Sequence, residues 1–307
     1  LPRQGREEHI LLETPDRYLN AFYNTLLHNQ ITASRLYGRT GFYQCSGAYG
    51  FRDQLQDCLA IVFSDPNTVR VHLLRCCAHQ YEQGDVMHWF HPFDGSGVRT
   101  RCSDDYLFLP FVTADYVQKT GDWSVFEPKV AYLASEPLRE GENERYERPE
   151  RSGVRENLYL HCMRALSYAE QFGPHGLCRI GSCDWNDAFS AMGVKGRGES
   201  VFVSFFLILT LRAFEPIMLH FGDDEAVAHY RALADTLGCE LEALALGQGL
   251  AGVEKQLAEY GADVVHVADC ECLAPYRTLP HAAVVCGIFK EEQPQIALFG
   301  ATPVGRD

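Results

Sequence analysis

The sequence predicts an all-α fold made of antiparallel helix pairs. Three observations predict it. Apolar residues recur every three to four positions along most of the chain, which is typical of helices with one buried face. Capping residues and glycine stops separate these stretches. Segments of strand type are short and ambiguous, at residues 264–267 and 282–285.

Nine helices are expected in chain order. They cover residues 16–35, 51–63, 67–83, 104–119, 125–134, 154–173, 199–221, 223–237 and 241–260. Leu19, Phe22 and Leu26 are expected to form the buried face of the first helix. Gly121 ends the fourth and Gly222 ends the seventh. Tight turns and longer polar loops alternate between the helices, which favours a bundle, solenoid or toroid over a parallel sheet.

The segment 201–211 is apolar on every side except at Ser204 and Thr210. We therefore expect an inner helix that protein surrounds on nearly all sides. The uncharged run 200–211 is much shorter than the roughly 20 residues that cross a bilayer, so no membrane contact is expected from this segment.

Composition narrows the classes of function. Apolar residues make up 46% of the chain, which supports a sizeable core. The 27 Lys and Arg residues against 41 Asp and Glu residues give a net charge of −14, so nucleic acid is not an expected partner. The 12 cysteines lack the spacing of a secreted disulfide framework or of a zinc site, and a reduced, cytoplasmic compartment is expected.

Two connections are long for loops, residues 84–102 and 173–198. Ordered connections of this length usually carry function, and these two hold aromatic and acidic residues. The densely charged stretch 139–155 is instead expected to be a solvated surface loop.

The second long connection contains GSCDWND at residues 181–187. It places Asp184 and Asp187 on either side of Trp185. An indole can stack on a sugar ring and raise the pKa of a nearby acid by desolvation, which suits a proton donor. The alternative is an Asx-turn with a tryptophan that anchors the loop, and the residues alone leave both interpretations open.

A second candidate cluster starts at GFRDQLQD, residues 50–57. Arg52 offers a planar fork for an oxyanion at the start of a helix. Asp53 either caps that helix or faces a ligand. Further along, Asp104 and Asp105 are expected to combine a helix cap with acceptors for sugar hydroxyls.

His88 and His91 lie in the first long connection. Two histidines three residues apart could bind a metal, but no third ligand has suitable spacing. We therefore expect packed, hydrogen-bonded histidines. The sequence also lacks a G-x-S-x-G elbow, a Walker loop and a dinucleotide fingerprint.

Longer ordered stretches carry a resemblance to a known family. They are LLETPD from Leu11, GRTGFYQCSGAYGFRDQLQD from Gly38, EQGDVMHWFHPFDGSGVRTRCSDD from Glu82, LPFVTADYVQKTGD from Leu109, HGLCRIGSCDWND from His175 and GRGES from Gly196. Over roughly residues 10 to 235 the chain resembles glycoside hydrolase family 94, the inverting glucan phosphorylases. Within that family the likeness is to the phosphorylase regions of cyclic β-1,2-glucan synthases and of 1,2-β-oligoglucan phosphorylases.

The resemblance implies an (α/α)6 toroid with a sugar cleft and no metal or organic cofactor. It implies that Asp187 is the proton donor. Trp185 would line the subsite of the transferred glucose, with Asp53 accepting its hydroxyls and Arg52 helping to hold phosphate. Asp184, Asp104 and Asp105 complete the expected substrate-binding set.

The expected reaction is inverting phosphorolysis of a β-linked glucan, with β-1,2 linkage favoured. Phosphate is already an anion and needs no protein general base, so one acid suffices, whereas an inverting hydrolase needs a second carboxylate. The alternatives are a hydrolase on the same toroid and an inactive glucan-binding remnant. The expected partners are an oligo- or polysaccharide and phosphate, and whether a homodimer forms is left open.

The tail departs from the resemblance. We expect a partial catalytic domain over residues 1–261 and an atypical tail over 262–307, because nine helices cannot close a twelve-helix ring. The chain is thus expected to be a piece of a longer enzyme, incomplete at its C-terminus. Cys45, Cys183 and Ala188 stand where the family more often has serine or glycine.

Overall fold

The computed structural model describes residues 11–27, 29–38, 47–238, 242–259 and 262–294. The chain divides into two compact units, Leu1–Gly238 and Cys239–Asp307. The division lies N-terminal to the boundary expected at residue 261. Cys45 lies outside the described residues.

Within its described residues, the first unit contains seven α-helices. They are α1 (Arg17–Ala21), α2 (Phe51–Leu59), α3 (Pro66–Cys77), α4 (Phe108–Thr120), α5 (Leu158–Tyr168), α6 (Val201–His220) and α7 (Asp224–Leu237). Two π-helical segments, Phe22–Leu27 and Gln30–Gly38, follow α1. α4 ends at Gly121, where φ is 68°, so the predicted glycine stop is confirmed.

The first unit also contains strands. They are β1 (Tyr49–Gly50), β2 (Met87–Phe90), β3 (Gly97–Thr100), β4 (Lys129–Ala134), β5 (Glu144–Glu147) and β6 (Glu150–Asn157). One antiparallel sheet has the order β1-β2-β3-β5, and β4 pairs with β6 in a second. Gly50 lies opposite Trp89, so the end of β1 brings the start of α2 next to β2.

The prediction of an all-α toroid is therefore wrong. The first long connection, expected to be a loop, folds as the β2–β3 hairpin. The charged stretch 139–155 supplies β5 and most of β6, and the predicted helix 125–134 is a 3₁₀ turn followed by β4. These errors share one cause. A strand is stabilised by a partner that is distant in sequence, as β6 is for β4, and local periodicity does not reveal such pairing.

α6 contributes many residues to the apolar core. It packs against α4 and α7 and buries ten residues, among them Leu207 and Phe214. Three of its residues on one face, Phe202, Phe205 and Leu209, are exposed. The expectation that protein surrounds this helix on nearly all sides is thus wrong for that face.

α6 is long and apolar enough to cross a bilayer by composition alone. Of its most apolar window, 56% is buried inside the protein. A helix in the core of a folded domain has the same composition, and the burial of α6 matches that role.

The second unit has a different architecture. β7 (Glu242–Gly247) and β8 (Val264–Asp269) pair in parallel, with Glu242 opposite Val264. α8 (Val253–Glu259) connects them and α9 (Thr278–Glu292) follows. The predicted helix over 241–260 is wrong in its first half, where β7 forms. The ambiguous segment 264–267 is a strand, and 282–285 is part of α9.

Candidate active site

A buried arginine lies at the centre of the predicted site residues. Arg52 is the second residue of α2 and is only 7% exposed. Its Nη1 donates to Asp104 Oδ1 and to the Asp184 carbonyl oxygen, both at 3.1 Å. Its Nη2 donates to Asp187 Oδ1 at 2.5 Å. Arg52 therefore joins three segments that are distant in sequence.

Asp104 and Asp105 lie between β3 and α4, and both are buried. Asp105 Oδ1 is 3.9 Å from Arg52 Nη1, and no hydrogen-bond donor reaches this buried oxygen among the described residues. Burial, reinforced by the neighbouring Asp105, raises the pKa of Asp104 to about 7. The two acids thus contact the guanidinium on its buried side.

His88 completes this cluster, although the sequence predicted a packed histidine. Its Nδ1 is 2.7 Å from Asp105 Oδ2, and its Nε2 is 4.0 Å from Asp187 Oδ1. The charge of Asp105 raises the pKa of His88 to about 9. Sequence reasoning missed this ion pair because it treated residues 84–102 as a loop. Only the β2–β3 hairpin brings residue 88 to residue 105. His91, in contrast, contacts the Trp89 ring edge-on, as expected of a packed histidine.

The DWND segment forms a loop whose anchor is Asp184. Its Oδ1 accepts from the backbone N–H of Asn186 at 2.9 Å, and its Oδ2 accepts from Ser200 Oγ at 2.6 Å. Asn186 in turn accepts from the Ala188 N–H. The Asx-turns that the sequence offered as the alternative interpretation are thus present. They accompany a buried Asp184, whereas residues 185–187 are exposed.

Trp185 and Asp187 lie at the exposed part of this loop. Trp185 is 53% exposed, and the side chain of Asp187 is 61% exposed. The indole face and the outer carboxylate oxygen are therefore available to a ligand. The structure thus pairs an exposed acid with a buried cation, and an exposed aromatic ring lies two residues before that acid in the same loop.

Asp53 is half-buried in the first turn of α2. Its carboxylate folds back over Gly50, where an added Cβ would collide with it. Only glycine fits at residue 50 while Asp53 keeps this orientation. The N-cap residue of α2 is Gly50, which has no side chain to cap the helix, and Asp53 is the acidic residue of the first turn.

Hydrogen bonds join residues 101–103 to residues 181–183 beside the site. The Ser103 N–H and the Ser103 hydroxyl both donate to the Cys183 carbonyl oxygen at 3.0 Å, and the Ser182 N–H donates to the Arg101 carbonyl oxygen at 3.0 Å. Gly181 has φ of +63°, and an added Cβ would collide with the Arg101 carbonyl. The acid-bearing loop is therefore fastened to the segment that precedes Asp104.

Some site residues lie close enough to share a metal ion. His88, Cys102 and Asp105 form one such group, and Cys102, Cys183 and Asp187 form another. However, Arg52 Nη1 lies 3.6 Å from the shared Cys102 sulfur. A divalent cation there would lie next to a buried positive charge, which disfavours metal binding by repulsion.

Comparison with known proteins identifies the family. Residues 4–299 match the family model of the glycosyl hydrolase 94 superfamily, catalytic domain. The chain is 40% identical over 233 residues to cyclic beta-(1,2)-glucan synthase NdvB of Rhizobium meliloti (strain 1021), covering 74% of this chain and 8% of that protein. It is 28% identical over 231 residues to 3-O-beta-D-glucopyranosyl-beta-D-glucuronide phosphorylase of Paenibacillus borealis, covering 74% of this chain and 27% of that protein. It thus spans less than a third of the length of these relatives.

A shorter match is to a different kind of protein. Over 83 residues, the chain is 40% identical to electron transfer flavoprotein subunit alpha of Megasphaera elsdenii. This match covers 27% of the chain and 25% of that protein.

Proposed function

The chain belongs to the glycosyl hydrolase 94 superfamily, and on that premise we propose that it carries the acid-bearing part of a glycoside phosphorylase site. The proposed reaction converts a β-linked glucan and phosphate to α-glucose 1-phosphate and a glucan one unit shorter. We propose β-1,2 linkage, supported by the 40% identity to the cyclic glucan synthase.

The Arg52–Asp187 pair carries this proposal. An inverting phosphorylase needs one acid for the leaving oxygen and a cationic site for phosphate. Asp187 would protonate the glycosidic oxygen while a phosphate oxygen attacks the anomeric carbon from the opposite face. The C–O bond to the leaving glucan breaks as the C–O bond to phosphate forms, so the β-linkage becomes an α-phosphate.

The ion pair sets the order of events. While Asp187 Oδ1 accepts from Arg52 Nη2, neither group is free for its proposed partner. We propose that incoming phosphate takes over Nη2 of Arg52 and so frees the Asp187 carboxyl to turn to the glycosidic oxygen. The 61% exposure of Asp187 supports this exchange, since its side chain can leave Arg52 without disturbing the core.

The other residues have supporting roles. Trp185 would stack on the sugar ring, and Asp53 would accept its hydroxyl groups. Asp104 and Asp105 are buried and contact Arg52, so we propose that they position that residue rather than touch the sugar. Asp184 would position Asp187 through the loop.

We propose that the reaction needs neither a metal ion nor an organic cofactor, with phosphate as co-substrate. The charge of Arg52 already supplies the electrostatic stabilisation that a metal would otherwise give. We further propose a cytoplasmic location, on the basis of the eight free cysteines among the described residues.

Product analysis tests the proposal. The protein is incubated with β-1,2-, β-1,3- and β-1,4-linked glucose oligomers, with and without phosphate, and the anomers are resolved by NMR. We expect α-glucose 1-phosphate only when phosphate is present, and most from the β-1,2 oligomers. Free glucose formed without phosphate would indicate the hydrolase. Binding with no turnover in either condition would indicate the glucan-binding remnant.

A further inference from the structure

Two cysteines lie in contact behind the candidate acid. Cys102 Sγ and Cys183 Sγ are 3.0 Å apart, which is closer than two unbonded sulfurs usually approach and about 1 Å longer than a disulfide. Cys102 lies two residues after the end of β3, and Cys183 directly precedes the DWND segment. Neither is among the residues that the proposed phosphorolysis uses.

The backbone already holds this pair in place. Hydrogen bonds join the neighbouring residues on both sides, from the Ser182 N–H to the Arg101 carbonyl and from the Ser103 N–H to the Cys183 carbonyl. A disulfide fails to form when the backbone must move to bring its cysteines together. Here the two sulfurs are already within about 1 Å of bonding distance.

The environment also favours reaction at one sulfur. The hydrogen bond between the two cysteines and the positive charge of His88 lower the pKa of Cys183, which increases its thiolate fraction. Cys183 retains 8% exposure, and Cys102 lines a cavity of about 620 Å³ together with Tyr106 and Tyr168. A molecule as small as hydrogen peroxide can therefore reach the pair.

We propose that Cys102 and Cys183 form a peroxide-sensitive dithiol that converts reversibly to a disulfide. The Cys183 thiolate attacks one peroxide oxygen, the O–O bond breaks, and hydroxide leaves to give a sulfenic acid. The Cys102 sulfur then attacks Cys183 and displaces the sulfenic oxygen as water. Two thiols are oxidised, one peroxide is reduced to two waters, and a dithiol reductant reverses the change.

Closure of this bond acts on the candidate site. The Cys102 sulfur lies 3.2 Å from Asp104 Oδ1, and the Cys183 sulfur lies 4.0 Å from Asp187 Oδ1. A disulfide removes the thiol proton that Asp104 accepts and fixes the loop that bears Asp187. Oxidation would therefore change the position of the acid relative to Arg52.

Peptide mapping tests the proposal without a turnover assay, so its failure is distinct from failure of the phosphorylase proposal. The full chain is treated with hydrogen peroxide, quenched with catalase, blocked with N-ethylmaleimide in denaturant and digested with trypsin. The sequence places Cys102 alone in peptide 102–119 and Cys183 alone in peptide 180–195. We expect these peptides linked to each other, lighter than their sum by two hydrogens, and separated again by dithiothreitol.

Variants and internal controls sharpen the result. In Cys102→Ser the sulfenic acid at Cys183 should persist and react with dimedone. In Cys183→Ser oxidation of Cys102 should be at least about tenfold slower. Cys76 and Cys162 are buried in the core with raised pKa and should remain fully alkylatable. Peptides 102–119 and 180–195 that stay unlinked while the exposed Cys286 is oxidised would overturn the proposal.

Discussion

Arg52 Nη2 lies 2.5 Å from Asp187 Oδ1, so a buried guanidinium and a largely exposed carboxylate form one ion pair. The two partners differ in what they do for the fold. Arg52 also holds Asp104, Asp105 and the Asp184 carbonyl, whereas Asp187 can leave without exposing the core. Substitutions at the two ends of this pair should therefore separate catalysis from stability.

Asp187→Asn should greatly slow turnover and preserve the fold. Removing a general acid typically costs about 10²- to 10⁴-fold in rate. Because the side chain is 61% exposed and asparagine can still accept from Arg52 Nη2, the free energy of unfolding should change by less than about 1 kcal/mol. Phosphorolysis rates and urea denaturation measure the two effects. Asp235→Asn on the exposed face of α7 is the matched control and should change neither. An Asp187→Asn protein that keeps its full rate would remove this residue from the mechanism.

Arg52→Gln should destabilise the first unit strongly. It leaves the buried Asp104 without its cation and Asp105 with His88 alone, and breaking a buried pair costs about 3–5 kcal/mol. All three tryptophans lie in the first unit, so tryptophan fluorescence in urea reports on this unit alone.

The control for this substitution is an exposed ion pair. Arg231 pairs with Glu215 on the surface, and Arg231→Gln should cost less than about 1 kcal/mol. Equal unfolding midpoints for the two variants would show that Arg52 is not the centre of the cluster.

Many candidate site residues could be named from the sequence, because they lie in short continuous motifs such as GFRDQLQD and GSCDWND. Arg52, Asp104 and Asp187 do meet in space. The helices α6 and α7 also lie within two residues of their predicted ends, because their apolar periodicity is a local signal.

What the sequence could not show depends on contacts between distant segments. The ion pair of His88 with Asp105 requires the β2–β3 hairpin, and β5 forms only because β3 offers an edge to it. A charged stretch such as 144–147 has the composition of a loop, and only its partner strand makes it a strand.

Ser200→Ala should loosen the DWND loop and the start of α6 together. Ser200 Oγ accepts from the Val203 N–H at 3.1 Å as the helix cap, and it donates to Asp184 Oδ2 at 2.6 Å. Loss of the cap and of one bond to a buried carboxylate should cost about 2–3 kcal/mol. Urea denaturation measures this, with Ser200→Thr expected to retain most of the stability. Ser190→Ala, at an exposed position, should be neutral, and a neutral Ser200→Ala would contradict the role of Ser200.

The His88–Asp105 pair should make stability depend on pH above neutrality. The ordinary pKa of histidine is 6.5, and folding raises that of His88 to about 9. Between these values the folded protein holds a proton that the unfolded chain releases. The stabilisation is therefore complete below pH 6.5 and is lost as pH rises to 9, a fall of about 3 kcal/mol.

His88→Gln should remove that dependence. The measurement is the difference in free energy of unfolding between the two proteins at several pH values from 6 to 9.5. His79→Gln is the control, because burial lowers the pKa of His79 to about 4 and places its effect below pH 6.5 with the opposite sign. If the difference in free energy of unfolding between the parent protein and His88→Gln does not change with pH, the ion pair is not the source of the pH dependence.

Gly181→Ala should displace the acid-bearing loop. Backbone strain and a collision with Arg101 would both destabilise this variant, and a substitution at a second glycine separates the two effects. Gly181 has φ of +63°, and its added Cβ would also collide with the Arg101 carbonyl. Gly196 has φ of +64° with open space around it, so Gly196→Ala reports the backbone strain alone, about 1 kcal/mol. Gly181→Ala should cost at least about 2 kcal/mol and also lower turnover, since Gly181 precedes Asp187 in the loop. Equal losses of stability in urea for the two variants would mean that the close approach of residue 181 to Arg101 does not hold the loop in place.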